Sequence, residues 1–316
     1  MKQVLKKTIY KKGSCHLPYW VNAEGNGPWI VFLHGPCVDR RSFDGLLSEC
    51  KDGPKVLFCD LRGHGNSEGN DETITFPLLV EDVMSILADA NISQAIFVGQ
   101  SIGGAIAQHI AKQYPDMVLG LGLIGISCIT ATPTFFESFF GRIMGFLLKR
   151  YKQNRIVRNC ARSYSATPKG QEYVGRCVAK MNKQDILDTL LNASLKWTQK
   201  DKAYVTNIPA FVAVGTRDPL SVVKRAFKVY EKTMPNADVF KITNAATLVQ
   251  WDQPKRIAEL IDRLLLKIYD TEGYDRAMAS YREEVERKLA VQDGEQDPEE
   301  ELLDALDREA PQNASE

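Results

Sequence analysis

Val98-Gly99-Gln100-Ser101-Ile102-Gly103-Gly104 contains a G-x-S-x-G turn, and its surroundings decide how the chain folds. Ahead of it, Ala95-Ile96-Phe97-Val98 is a β-branched and aromatic run of the kind that forms a buried strand. Behind it, Gly103 to Ala111 reads as a helix packed closely by small residues. A strand that turns so sharply into a helix strains the central residue and lifts its hydroxyl above the sheet edge. Flanking glycines are required because side chains there would collide with neighbouring backbone. The helix start adds positive potential beside Ser101, which becomes the candidate nucleophile. The four histidines are His16, His34, His64 and His109, so no imidazole follows residue 109.

Outward from this turn, apolar runs alternate with helical patterns, the signature of βαβ units and a mostly parallel sheet. The expected strands are Leu5–Tyr10, Leu17–Val21, Trp29–Leu33, Val56–Cys59, Ala95–Val98, Val118–Ile124, Ala210–Val214 and Asp238–Ile242. Helices are expected near Phe43–Glu49, Thr75–Ala90, Ile102–Gln113, Val222–Thr233 and Lys255–Tyr269. The predicted class is therefore α/β, with an eight-stranded sheet flanked by helices.

From Ile129 to Asp201 the rhythm breaks into three or four helical patterns with no strand. Lying between two strands, this stretch predicts a helical lid above the strand ends. Its aromatic cluster (Phe135, Phe136, Phe139, Phe140 and Phe146, with Ile143, Met144 and Leu147) precedes the basic Lys149-Arg150-Tyr151-Lys152. Lid core is the first reading of that cluster, substrate contact the second, and a membrane-surface helix the third. The expected organisation is a core at 1–128 and 204–269, a lid at 129–203, and a charged helix with an acidic tail at 270–316. Residues 293–316 hold ten carboxylates against the single Arg308, so that tail is expected to be solvated and disordered or loosely helical.

Forty basic and forty acidic residues balance, which gives no reason to expect a polyanion partner such as nucleic acid. The seven cysteines are odd in number and widely spaced, without a Cys-x-x-Cys pair. They predict reduced thiols in a cytoplasmic protein and no metal site. No run of eighteen apolar residues suggests a membrane span. The start at Met1 to Lys7 lacks a signal-peptide core. Gly63-His64-Gly65 lacks the third glycine of a dinucleotide fingerprint, so no cofactor is expected.

Four landmarks resemble the α/β-hydrolase superfamily over roughly residues 1–268. His34-Gly35 after a strand looks like its oxyanion loop. Asp60-Leu61-Arg62-Gly63-His64-Gly65-Asn66-Ser67 resembles its D-x-R-G-x-G-x-S loop. Ser101 sits in the nucleophile elbow, and Gly215-Thr216-Arg217-Asp218-Pro219 resembles the turn that presents the triad acid, here Asp218. The fold hosts esterases, lactonases, thioesterases, peptidases and non-enzymes, so the resemblance does not name a substrate. Members that attack with aspartate are excluded by Ser101.

Two departures stand out. In relatives the triad histidine follows the last strand, and Thr247 occupies that place within Asn244 to Pro254. A threonine hydroxyl has no useful basicity near neutral pH and cannot accept the serine proton. At the oxyanion loop, one donor is expected to be the N–H of Ile102. The other belongs to the residue after His-Gly, which is Pro36 and has no N–H; Cys37 can substitute only if the loop shifts. Among the histidines, His34 is the candidate surrogate base, with His64 behind it. His109 lies about 11 Å along the helix from Ser101 by helical rise.

These residues point to a serine hydrolase of ester, lactone or related acyl substrates by ancestry, with weak or absent turnover. A ligand-binding protein or a cyclase- or lyase-like relative is the alternative, and an ordinary hydrolase silenced by an introduced Thr247 is a third. The expected partner is a small apolar acyl compound.

Overall fold

A computed structural model describes residues 5–50, 54–69, 71–131, 134–193, 204–219, 227–270 and four positions between 272 and 279. Contacts divide the chain into two units, Met1–Ile268 and Tyr269–Glu316. In the second unit, Gly273 N–H donates to Asp270 (3.0 Å) and Arg276 pairs with Glu272 (3.8 Å). The acidic tail expected from residue 293 onward lies outside the described residues.

The first unit is built on eight strands: β1 Lys6–Lys12, β2 Cys15–Asn22, β3 Trp29–Leu33, β4 Lys55–Cys59, β5 Ala95–Gln100, β6 Val118–Ile124, β7 Ala210–Gly215 and β8 Ala237–Ile242. Their order across the sheet is β1-β2-β4-β3-β5-β6-β7-β8. The β1–β2 and β2–β4 pairs are antiparallel, and every other pair is parallel. Strand β5 is buried along its whole length, as a strand covered on both faces must be. This is the eight-stranded, mostly parallel sheet expected, with strand ends shifted by no more than two residues.

The described helices are α1 Asp44–Leu47, α2 Phe76–Asp89, α3 Ile102–Gln113, α4 Phe135–Arg150, α5 Gln153–Tyr164, α6 Pro168–Lys180, α7 Lys183–Leu187, α8 Phe227–Thr233, α9 Val249–Asp252 and α10 Pro254–Tyr269. Helix α2 starts where Thr75 Oγ1 accepts the Leu78 N–H, with Pro77 in the first turn, and buries Phe76, Leu79, Val80, Val83, Ile86 and Leu87. Those positions repeat at three and four residues and form one apolar face. In place of one helix near Phe43–Glu49 stands a 3-10 turn at Arg40–Phe43 leading into the short α1, which ends at Leu47. Asp39 is the cause: its carboxylate accepts the Arg41 N–H and starts the turn four residues ahead of the apolar pattern. Only Phe227–Thr233 of the helix expected from Val222 is described.

Between β6 and β7, helices α4 to α7 and a π-helical turn, Asp188–Ala193, form the insertion. Its small core of Ile156, Cys160, Tyr173, Val174, Cys177, Val178, Met181 and Ile186 packs with Cys37, Val38 and Leu248 from the loops after β3 and β8. Part of the aromatic cluster departs from the lid-core reading; Leu147 is half-buried, and the side chains of Phe136, Phe140 and Met144 lie outside the described residues. Phe135, Phe139, Ile143 and Phe146 are 78, 51, 40 and 55 % exposed.

Parallel topology gathers loops from distant parts of the chain at one sheet edge. The C-terminal ends of β3, β4, β5, β6, β7 and β8 lead into His34, Asp60, Ser101, Gly125, Thr216 and the Thr247 loop.

Candidate active site

Ser101 joins β5 to α3 with φ +49° and ψ −116°, a conformation that side-chain-bearing residues rarely adopt. Two backbone bonds hold it there. Its N–H donates to the Ile124 carbonyl at the end of β6 (2.9 Å), and its own carbonyl accepts the Ala105 N–H (3.0 Å). Gly103 lets the junction close, because a Cβ there would stand 2.1 Å from the Leu33 carbonyl oxygen. The elbow is thus wedged between the ends of β3 and β6. Ile102 is fully buried at the first position of α3, where N–H groups lack intrahelical partners and can meet an oxyanion.

Asp218 lies in the turn after β7, with its N–H on the Gly215 carbonyl (3.1 Å). The same turn is stitched to the segment after β8, since Arg217 N–H donates to Ala245 O (2.9 Å) and Thr216 N–H to Ile242 O (3.0 Å). Thr247 is two residues beyond that stitch. Gln100, immediately before Ser101, donates its side-chain amide to the Thr247 carbonyl (3.3 Å). Its side-chain oxygen fills the space over Gly35, 1.7 Å from where a Cβ would sit. One buried glutamine therefore bridges the loop after β3, the Ser101 junction and the Thr247 loop. Asp218 and Thr247 are themselves buried, at 1 and 4 % exposure, whereas Ser101 is half-buried.

The histidines are engaged elsewhere. His34 is fully buried; its Nδ1–H donates to Gly35 O (2.8 Å), leaving Nε2 to accept the Leu61 N–H (2.9 Å). That pairing fixes the tautomer and occupies the lone pair a base needs. Burial, only partly opposed by Asp60, also lowers its pKa. The surrogate-base expectation for His34 is corrected on this ground: the ring braces two loops. His64 donates from Nδ1 to Arg62 O (2.8 Å) and packs against His34 with ring centroids 5.2 Å apart. Burial, with His34 beside it, pushes its pKa down to about 3. His109 sits edge-on to Phe76 of α2, and His16 pairs through its backbone with Glu68.

The loop after β4 is a brace. Asp60 accepts the N–H groups of Arg40 (2.9 Å) and Asn66 (2.8 Å), and its carbonyl accepts the Ser67 hydroxyl (2.7 Å). Arg62, 1 % exposed, is bound by Asp82 through two hydrogen bonds of 2.7 and 2.9 Å.

Pro36 and Cys37 lead from the loop after β3 toward the insertion, whose core Cys37 joins. Cys37 has φ +62° and is fully buried; hydrogen bonding to the Cys160 thiol, then burial, raises its pKa. Asp39 anchors the next stretch. Burial alone would raise its pKa, but hydrogen bonds from Arg41 and Tyr173 bring it down to about 2. The Tyr173 hydroxyl lies 2.9 Å from the Asp39 carboxylate, and its ring stacks on Trp251 at 4.2 Å.

Asp252 ties the insertion to the Thr247 loop. One carboxylate oxygen accepts Ser165 Oγ–H and Thr167 Oγ1–H, and the other accepts the N–H groups of Ala166 (2.9 Å) and Ala246 (3.0 Å). The Leu248 N–H adds a bond to the Tyr164 carbonyl (2.7 Å). Tyr164 ends α5 close enough to Cys37, Cys160 and Asp218 to feel each, although burial is the main reason its pKa rises. Sequence reasoning singled out neither Gln100 nor Tyr164. The position of Gln100 next to the candidate nucleophile Ser101 was the one available signal. Two cavities of about 260 and 310 Å³ flank α6; the first includes His64, Lys180 and Asp185, the second Arg41, Arg176 and Trp251. Among the described residues, no group of His, Cys, Asp or Glu is arranged to hold a metal ion.

Comparison with known proteins agrees with this architecture. The chain is similar to sn-1-specific diacylglycerol lipase ABHD11 of Xenopus tropicalis, 29 % identical over 176 residues covering 54 % of this chain and 52 % of that protein. It therefore spans about half the length of that lipase. It is also similar to 3-oxoadipate enol-lactonase 1 of Acinetobacter baylyi, 24 % identical over 78 % of this chain and 92 % of the relative. Among solved structures, a hydrolase from Pseudomonas aeruginosa PA01 superposes with a TM-score of 0.69 at 17 % identity, covering 84 % of this chain and 98 % of the other. The family described as alpha/beta hydrolase fold matches residues 28–254, and the chain belongs to that family.

Proposed function

We propose that this chain is a serine hydrolase by descent, built for esters, lactones or related acyl compounds, whose turnover is slow because its triad base is missing. Ser101 is the inherited nucleophile, Asp218 the inherited acid and Ile102 N–H an oxyanion donor. The helical insertion acts as the lid. The observation that carries the reading is Thr247, tied to Gln100 in the loop after β8 with a hydroxyl in place of an imidazole. Without a base the serine proton has no acceptor of suitable pKa, and attack on an acyl carbon stalls. In a well-studied serine protease, loss of the triad histidine costs about 10⁶-fold in turnover, leaving roughly 10³–10⁴ over water. Similarity to a lipase and an enol-lactonase supports the acyl class. The seven free thiols support a reducing, cytoplasmic setting.

A second reading, a protein that binds its ligand without hydrolysis, draws on the oxyanion loop. Pro36 offers no N–H, and Cys37 is held at positive φ by buried packing.

The test is Thr247→His assayed with short aryl esters beside the parent. A gain of at least about 10²-fold in kcat/KM is expected, abolished by Ser101→Ala. Slow fluorophosphonate labelling of Ser101 in the parent should quicken in the same variant. An unchanged rate would overturn the missing-base account and favour the binding protein.

A further inference from the structure

Helix α4 carries an exposed face whose composition suits a lipid headgroup region. Phe135, Phe139, Ile143 and Phe146 are separated by four, four and three residues, which places them in one stripe along the helix. They are 78, 51, 40 and 55 % exposed, so this stripe is turned to solvent. The rings of Phe135 and Phe139 stack with centroids 6.4 Å apart. Lys149 and Arg150 stand at the end of the same face and Arg142 within it, all three exposed. The Arg150 guanidinium lies 4.1 Å over the Phe146 ring, which fixes cation and aromatic side by side. Lys152 and Arg155 follow at the start of α5, both on the accessible surface. No acid appears among the described side chains of the stripe.

We infer that α4 docks this protein on an anionic lipid surface, with the phenylalanine stripe entering the headgroup–acyl boundary and the cations meeting lipid phosphates and carboxylates. Charge complementarity selects this occupant. An apolar stripe made for a second copy has no need of five flanking cations with no acid facing them among the described side chains, whereas interfacial helices pair aromatic rings with lysine and arginine. No described helix is long and apolar enough to cross a membrane, so the contact is peripheral. The inference rests on α4 alone and needs no turnover at Ser101.

The full chain is mixed with sedimentable vesicles of phosphatidylserine and phosphatidylcholine, or of phosphatidylcholine alone. Binding to the anionic vesicles, weakened by salt, is expected. Phe139→Glu with Phe146→Glu should lower the partition at least about tenfold, and Arg142→Glu with Arg150→Glu should reduce it to the level of neutral vesicles. Both pairs are exposed, and an unchanged melting temperature confirms folding. A Phe139→Trp variant gives an independent readout: its emission should shift to the blue on adding anionic vesicles. The inference is overturned if the parent stays in the supernatant, if the phenylalanine pair sediments like the parent, or if the emission of the Phe139→Trp variant does not move. Concentration-dependent dimerisation abolished by the phenylalanine pair would overturn it too, assigning the stripe to a second copy.

Discussion

Replacing Asp252 by alanine tests whether the insertion and the Thr247 loop form one unit. The carboxylate accepts four donors: two hydroxyls, Ser165 and Thr167, and two backbone N–H groups, Ala166 and Ala246. The Ser165 hydroxyl keeps an alternative contact with Thr167 Oγ1 at 3.1 Å, and Ala166 is half-buried and within reach of water. Ala246 is 3 % exposed, so its N–H is left without a partner. Hydrogen bonds to a charged acceptor are worth about 1.5–3 kcal/mol, and an orphaned buried donor costs about 1–3 kcal/mol. With one full loss at Ala246 and partial losses elsewhere, Asp252→Ala should destabilise by about 3 kcal/mol. For a unit of this size that corresponds to a fall of roughly 6–12 °C in melting temperature. Differential scanning fluorimetry and urea unfolding measure both quantities. Asp252→Asn, which retains one acceptor oxygen, should lose about half as much. Combined with Thr247→His, Asp252→Ala should also erase most of the gain in ester turnover, because the loop bearing the imidazole would lose its anchor. A melting temperature within about 2 °C of the parent would refute the reasoning.

Two further outcomes are expected. Asp82→Ala strands the buried Arg62 guanidinium, leaving it, among the described residues, the exposed Glu72 at 3.3 Å, and should cost about 3–5 kcal/mol in urea unfolding; a loss under about 1 kcal/mol would contradict a buried pair. His64 has a folded pKa near 3 against 6.5 unfolded, so the unfolded chain binds the proton first as pH falls. Its contribution is intact above pH 6.5 and is lost between about 6.5 and 3, by roughly 1.4 kcal/mol per pH unit. His64→Gln cannot take up that proton and should flatten the acid side of a melting-temperature profile. A variant profile parallel to the parent's would contradict the buried, neutral ring.

The core was readable because buried parallel strands appear as short apolar runs and helices α2, α3 and α10 as periodic faces. The elbow was readable for the same reason, since a strand, two close glycines and a small-residue helix are all local. The loop from Asn244 to Pro254 was legible as the segment between the last strand and the final helix. The loop partners were not. Gln100 meets Thr247 across 147 positions and Asp252 meets Ser165 across 87, and neither pairing leaves a periodic trace. His34 looked available because its ring could be placed near the strand ends, but both nitrogens prove to be used by backbone. Phe135, Phe139 and Phe146 misled for a simple reason: helical spacing gives a stripe without saying whether core or solvent faces it.

The backbone of Ser101 sets the aim of its hydroxyl against the stability of the sheet. A non-glycine residue at φ +49° costs on the order of 1–3 kcal/mol. That conformation is imposed by the Ile124 carbonyl and the close pass of Gly103 over Leu33, before any ligand arrives. Glycine at 101 would relax the junction and firm the fold, and the hydroxyl it carries would be gone.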